Sequence, residues 1–335
     1  MKLCIVKASS SAALVALVAQ NAALIILLNA SFREGASTYA ASTVVFSTEL
    51  VKFTVCSSVL GPGNFGTVRT DGGHRSNWLF IVPSLLYVLQ NNLLFFGASQ
   101  LSSLVYIVCT QFKIVTAAFA SRLFLSRTIT WVQWISLTVL VLGIVMVQLR
   151  SNPRHYDQNR QHTQLPSEGL GRDPKRGFVA VMLASVTSGV AGVALEFIFK
   201  QQAVKRSVWQ SNLYLSSVSL PIAFAMMLVQ DSTQVLEGNF FEGYDSVVFA
   251  VIVLQAAGGV LIGFVLKYAD NILKCFAVAV SICCCVFYSV MIGQLSLSTE
   301  LVIGVMLVLF AVTLYSAPLA RKSNERTQLL RCEKA

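Results

Sequence analysis

Charge is scarce in this chain: only 12% of its 335 residues are Asp, Glu, Lys or Arg, against 55% hydrophobic, and the mean hydropathy is +0.69. That balance excludes an ordinary soluble domain, in which about a quarter of the residues are charged. Histidine is rarer still. His74, His155 and His162 all lie in polar segments between apolar runs, and none pairs with a carboxylate at ligand spacing. Neither a metal centre nor a histidine acid/base site is expected. The eight cysteines form no Cys-x-x-Cys or Cys/His cluster, and Cys56, Cys109, Cys275 and Cys283 to Cys285 sit inside apolar runs as small packing residues. A Gly-Lys-Ser/Thr phosphate loop is missing, so no nucleotide hydrolysis, no cofactor and no enzyme activity are expected. The C-terminus shows neither a KDEL-type ending nor, around Cys332, the aliphatic pair of a prenylation box.

What the chain has in abundance is long apolar sequence. Runs fall at 8–30, 37–60, 78–98, 101–124, 128–149, 177–200, 208–230, 244–267, 272–295 and 299–319. Each is close to the ~20 residues that a helix needs to cross a bilayer. The first is longer than the apolar core of a signal peptide and lacks a small-residue cleavage site, so it reads as a retained helix. The net charge of +10 does not indicate nucleic acid, because the basic residues are spread over short loops and the tail. With both termini cytosolic, that side collects 16 Lys/Arg and the other seven, the sense expected for membrane insertion. Six of those seven stand in one linker, Arg150 to Arg176, whereas the loop before the eighth run is purely acidic, with Asp231, Glu237, Glu242 and Asp245. Asn29-Ala-Ser31 is a formal glycosylation sequon abutting the first run, too close to the membrane to be an expected acceptor.

The linker divides the chain into two sets of five helices that echo each other at an offset of roughly half the chain. Leu89-Gln90 and Leu254-Gln255 each open a stretch that runs through Gly-containing apolar sequence to a Lys-bearing segment and a terminal helix pair. An odd number of helices per half inserts the two copies in opposite orientations, the plan of many transporters. The expected fold is an all-α membrane protein of ten transmembrane helices in two inverted five-helix repeats. The first spans 1–149, a polar linker 150–176, the second repeat 177–320 and a basic cytosolic tail 321–335. Gly189 and Gly192 on the sixth helix, and Gly258, Gly259 and Gly263 on the eighth, would let helix backbones pack closely and rock.

Against this background the polar residues inside the runs stand out. A cation at mid-bilayer costs about 2.5–3.5 kcal/mol on insertion scales, yet Lys113 lies near the centre of the fourth run and Lys52 within the second. Glu49 and Lys52 are spaced i, i+3, and Glu196 and Lys200 i, i+4, so each pair could neutralise itself on one helix face or leave its lysine to a ligand. Lys113 has no acid within a helical turn, and Thr110 and Gln111 are poor counter-charges; its partner is either a distant acid or a ligand. Tyr106 precedes it by seven residues and projects from nearly the same face. Tyr87, Gln90, Asn91 and Asn92 add hydrogen-bonding groups to the third helix. Lys267, Asn271 and Lys274, at i, i+4 and i+7, would align on one helix face and suit phosphate oxygens, or else form a loop of snorkelling lysines. Aromatic ring, amides and cations together suit a nucleotide.

These residues also carry a resemblance. TELVK (Thr48 to Lys52), YVLQNNLLFFGASQLSSLVYIVCTQFKI, LSRTITWVQW (Leu125 to Trp134), GVALEFIFK (Gly192 to Lys200), VWQSN (Val208 to Asn212) and KYADNILK run in order from about residue 37 to 319. The chain resembles the nucleotide-sugar transporters of the Golgi and endoplasmic reticulum, and within them the branch for CMP-sialic acid, UDP-galactose and UDP-N-acetylglucosamine. The resemblance implies a fold of the drug/metabolite transporter type that exchanges a cytosolic nucleotide sugar for a lumenal nucleoside monophosphate. It implies that Lys52, Lys113, Lys267 and Lys274, with Asn271, meet the phosphates, and that Tyr87, Gln90, Asn91 and Tyr106 shape the nucleoside pocket. Asn212 and Ser216 match a helix 7 patch facing the cavity, with Glu49 and Glu196 as charge-balancing acids. Relatives commonly have Gln at the Ile107 position, Tyr at Thr110 and Gln at Tyr214, which leaves base and sugar preference open. Besides substrate, the expected partners are membrane lipid, a second copy of the chain and a glycosyltransferase, in the Golgi or endoplasmic reticulum membrane. An antiporter of another phosphorylated metabolite is the alternative, although the FYNN and GALNK strings of GDP-mannose carriers are absent. A non-transporting glycosyltransferase scaffold is another, and it gives no reason for lysine at mid-membrane.

Overall fold

A bilayer offers no water to satisfy backbone N–H and C=O groups, so apolar runs of this length must close their hydrogen bonds within themselves as helices. The structure, a computed structural model, describes residues 2–31, 39–61, 80–101, 103–151, 173–201, 207–231 and 237–316. Among them are ten helices: α1 (Lys2–Ser31), α2 (Ala41–Leu60), α3 (Ile81–Gln100), α4 (Ser103–Phe124), α5 (Trp131–Ser151), α6 (Pro174–Gln201), α7 (Val208–Gln230), α8 (Ser246–Tyr268), α9 (Asn271–Met291) and α10 (Thr299–Ser316). All ten are long and apolar enough to span a membrane, and no strand occurs among the described residues. The protein is an all-α, multi-span membrane protein.

Helix ends follow local capping chemistry rather than the edges of the apolar runs. Helix α6 starts three residues earlier than its run because Asp173 caps it: its Oδ1 accepts from the N–H groups of Lys175 (3.1 Å) and Arg176 (3.3 Å). Pro174, whose missing N–H matters least at the first helical position, follows. Arg150 and Ser151 end α5, and residues 152–172, most of the expected linker, lie outside the described residues, as do the three histidines and the tail 321–335. The Asn29 sequon falls in the last turn of α1. Ser207 and Gln210 form a capping box that opens α7, and Asp245 caps α8 by accepting from the Val248 N–H (2.8 Å).

The junction of α8 and α9 departs from the sequence reading. Helix α8 stops at Tyr268, Ala269 leaves helical geometry (φ −123°, ψ −133°), and Asp270 caps α9 through its Oδ1 and the Leu273 N–H (2.8 Å). Lys267 thus ends one helix while Asn271 and Lys274 start another, and the i, i+4, i+7 alignment on one helix face does not form. An Asp just before Asn in a run of good helix formers is a start signal, and it wins over helical continuation here.

The chain forms two compact units, each drawn from both halves of the sequence: Met1–Leu85 with Ala194–Ser281, and Leu86–Val193 with Ile282–Ala335. In the first unit α1 lies along α8, burying Leu17 with Val265, Ala269 and Ala277. Gln20 Nε2 donates to the Leu254 carbonyl (2.9 Å) and Asn21 Nδ2 to Ser281 Oγ (2.5 Å). Helix α2 packs on α7 and α8 around Cys56, Leu213 and Val260. At the start of α2, Ser42 Oγ donates to the Asp231 carboxylate and the Tyr244 hydroxyl to Thr43 Oγ1 (3.0 Å).

In the second unit α5 and α10 run against each other around Val147, Val286 and Leu301, and Ser136 Oγ donates to the Ala311 carbonyl (2.7 Å). Helices α4 and α6 come close at Gly189, where a Cβ would stand 2.6 Å from Thr116 Oγ1 and 2.8 Å from the Ala117 backbone N. Lipid tails are as apolar as leucine, so such close packing, rather than water exclusion, holds membrane helices together. Replacing Gly189 by valine should separate the two helices at a cost of about 1–3 kcal/mol. The thermal midpoint of the purified variant is expected to fall by several degrees; an unchanged midpoint would contradict the backbone contact.

Candidate functional site

Lys113 stands at the midpoint of the 22-residue α4, the depth at which a cation is least tolerated. It lines a cavity of about 310 Å³ within the second unit, at the lower end of the range for small-molecule sites. Tyr106, two turns earlier on the same face, lines it too, and Gln90 of α3 faces it with its Oε1 buried and without a hydrogen-bond partner. Thr110 and Gln111 of α4, Gln148 of α5 and Ser185 and Ser188 of α6 complete the polar lining; Leu94, Ile107 and Ala184 are apolar. The wall is fixed from behind. Gln111 Nε2 donates to Gln148 Oε1 (2.8 Å), Thr116 Oγ1 to the Ser185 carbonyl (2.7 Å), and Ser185 Oγ to the Cys109 carbonyl (3.2 Å). A cation, an aromatic ring, amides and hydroxyls around one small cavity can bind an anionic group and orient a flat polar ring beside it.

Three of the residues singled out in the sequence, Gln90, Tyr106 and Lys113, therefore share one cavity. Tyr87 is half-buried and Asn91 exposed on α3, and neither lines it. Gln148, Ser185 and Ser188 escaped sequence reasoning because nothing local distinguishes them from other polar residues in a span. Only the packing of α5 and α6 on α4 brings them to the cavity.

The remaining candidates belong to the first unit. Lys52 is 6% exposed and its Nζ is 2.7 Å from both oxygens of the Glu49 carboxylate, one of which, Oε2, also accepts from Ser219 Oγ of α7 (2.5 Å). The lysine stem lies over α8, where a Cβ at Gly259 would stand 3.1 Å from Lys52 Cδ. Glu196 is fully buried; it pairs with Lys200 (2.5 Å) and accepts from the Asn271 N–H at the start of α9 (3.0 Å). A carboxylate there also faces the positive end of the helix dipole. Asn212 and Ser216 are fully buried on α7: Asn212 Nδ2 donates to the Val208 carbonyl (3.0 Å) and Ser216 Oγ to the Asn212 carbonyl (2.9 Å). The side-chain oxygens of Asn212 and Asn271 are buried without partners, as acceptors awaiting a donor would be. Lys267 lies 5.8 Å over the Tyr268 ring, and Lys274 is half-buried in the first turn of α9. No group of residues able to hold a metal occurs among the described residues.

Comparison with known proteins gives the family. Residues 7–316 match the family model of the nucleotide-sugar transporters. The chain is 36% identical to the UDP-galactose transporter of Schizosaccharomyces pombe, covering 94% of this chain and 89% of that one. It is 34% identical to a UDP-N-acetylglucosamine/UDP-N-acetylgalactosamine transporter of Caenorhabditis elegans (90% and 91% covered) and 34% identical to the UDP-N-acetylglucosamine transporter of Rattus norvegicus (79% and 82%). One crystal structure superposes on 94% of this chain and 99% of its own with a TM-score of 0.63 at 13% identity, a likeness of fold alone. The relatives are carriers rather than enzymes, and with ten membrane-length helices among its described residues and a match over nearly its whole length, the chain belongs to the nucleotide-sugar transporter family.

Proposed function

We propose that this chain exchanges a cytosolic pyrimidine nucleotide sugar, foremost a UDP-sugar, for a lumenal nucleoside monophosphate by alternating access across the Golgi membrane. The observation that supports it most is the cavity in which Lys113, at the midpoint of a span, shares a wall with Tyr106 and Gln90. Intramembrane cations persist where they meet a ligand or a counter-charge, and a nucleotide brings the phosphate for the lysine and a base for ring and amides. Relatives named for UDP-galactose and UDP-N-acetylglucosamine favour uridine over cytidine. The weak internal echo favours two inverted repeats, 1–149 and 177–320, with the linker and the acidic α7–α8 loop on the lumenal side.

Ligand that binds only the folded carrier stabilises it by RT ln(1 + [L]/Kd), about 2.7 kcal/mol at a hundredfold excess over Kd. In a thermal-shift series on the purified protein, UMP and UDP-sugars should raise the midpoint, CMP less, and GMP not at all. A rise with GMP alone, or with non-nucleotide phosphates equally, would overturn the pyrimidine assignment.

A further inference from the structure

From the Glu49–Lys52–Ser219 constellation we infer that Glu49 is a built-in stand-in for substrate phosphate, one that occupies Lys52 in the unloaded carrier and sets how fast the empty carrier returns. The inference rests on the exchanger reading above and deepens it. Lys52 is buried on α2, and both of its short contacts go to the one carboxylate. An intrahelical i, i+3 pair would by itself be floppy, but this one is held from outside the helix. Ser219 of α7 donates to Oε2, one of the two carboxylate oxygens that Lys52 holds, and the bare backbone at Gly259 of α8 leaves room for the lysine stem. Three helices thus hold an anion on a cation inside the membrane. A buried charge left unpaired is strongly destabilising, so an ion-paired Lys52 can pass through an occluded state that a bare ammonium could not.

The same geometry makes the carboxylate a competitor. An incoming phosphate must take Lys52 from Glu49, or share it against like-charge repulsion at short range. Glu49 therefore weakens anion binding while permitting slow net transport, a trade between affinity and obligatory exchange. The substitution Glu49→Gln retains the shape and an oxygen for Ser219 but removes the charge.

The test compares wild type with Glu49→Gln and Ser219→Ala, measuring UMP affinity of purified protein and labelled UDP-galactose uptake into UMP-loaded and empty proteoliposomes. Glu49→Gln should bind UMP about tenfold more tightly. It should keep measurable exchange, and raise the loaded-to-empty uptake ratio about tenfold by suppressing the empty return. Ser219→Ala, which loosens the carboxylate without removing it, should shift both quantities the same way by less. A merely structural pair would instead lower loaded and empty uptake together and leave the ratio alone. Unchanged or weaker UMP binding, or an unchanged ratio, in a Glu49→Gln protein that still transports would overturn the role of Glu49. Wild type that neither binds UMP nor exchanges would instead remove the exchanger reading, and this inference with it.

Discussion

Lys113→Ala is expected to lose nucleotide exchange almost completely while yielding as much folded protein as wild type. The two halves of that result have separate causes. Alanine relieves the insertion cost of a cation at the midpoint of α4, about 2.5–3.5 kcal/mol, so the helix should form and insert at least as well. The same change deletes the positive charge lining a cavity otherwise walled by neutral groups, and truncating one partner of a desolvated charge pair costs about 2–5 kcal/mol of binding. That is roughly a thirtyfold loss of affinity at the lower end. Lys113→Arg should rescue little, because a wide planar fork cannot take the place of a compact ammonium in the small cavity that Lys113 lines with Tyr106 and Gln90. Wild-type transport by Lys113→Ala in proteoliposomes would remove the ligand role.

Much of the fold was legible because the bilayer imposes a length and a composition that ten runs meet, and their cores coincide with the ten helices. The boundaries that moved did so where one side chain decides. Asp173 starts α6 inside what reads as linker, and Asp270 ends the continuity that would have aligned Lys267 with Asn271 and Lys274. Within the candidate site, Tyr106 and Lys113 could be joined from sequence because both sit on α4, where helical periodicity alone places them on one side. Gln148 and Ser185 could not, since their approach depends on contacts between helices, such as the Gln111–Gln148 amide pair and the Thr116 bond to α6. The spacing of Glu49 and Lys52 allowed a self-neutralising pair without requiring it. What fixes the pair is Ser219, 170 residues away, and such a partner is invisible to local pattern.

An exchanger needs more than a binding cavity: its empty form must return more slowly than its loaded form. On the exchange proposed above, substrate would bring the phosphate that neutralises a cation such as Lys113 while it is occluded from water, where unmatched charge is costly. Both directions of the cycle should then run best with nucleotide aboard. The most direct measurement is uptake of labelled UDP-galactose into proteoliposomes containing the purified protein, preloaded with UMP, uridine, free galactose or buffer. UMP-loaded vesicles should take up label at least severalfold faster than empty ones, with uridine and galactose indistinguishable from buffer. Equal rates in UMP-loaded and empty vesicles would mean a uniporter and contradict the exchange.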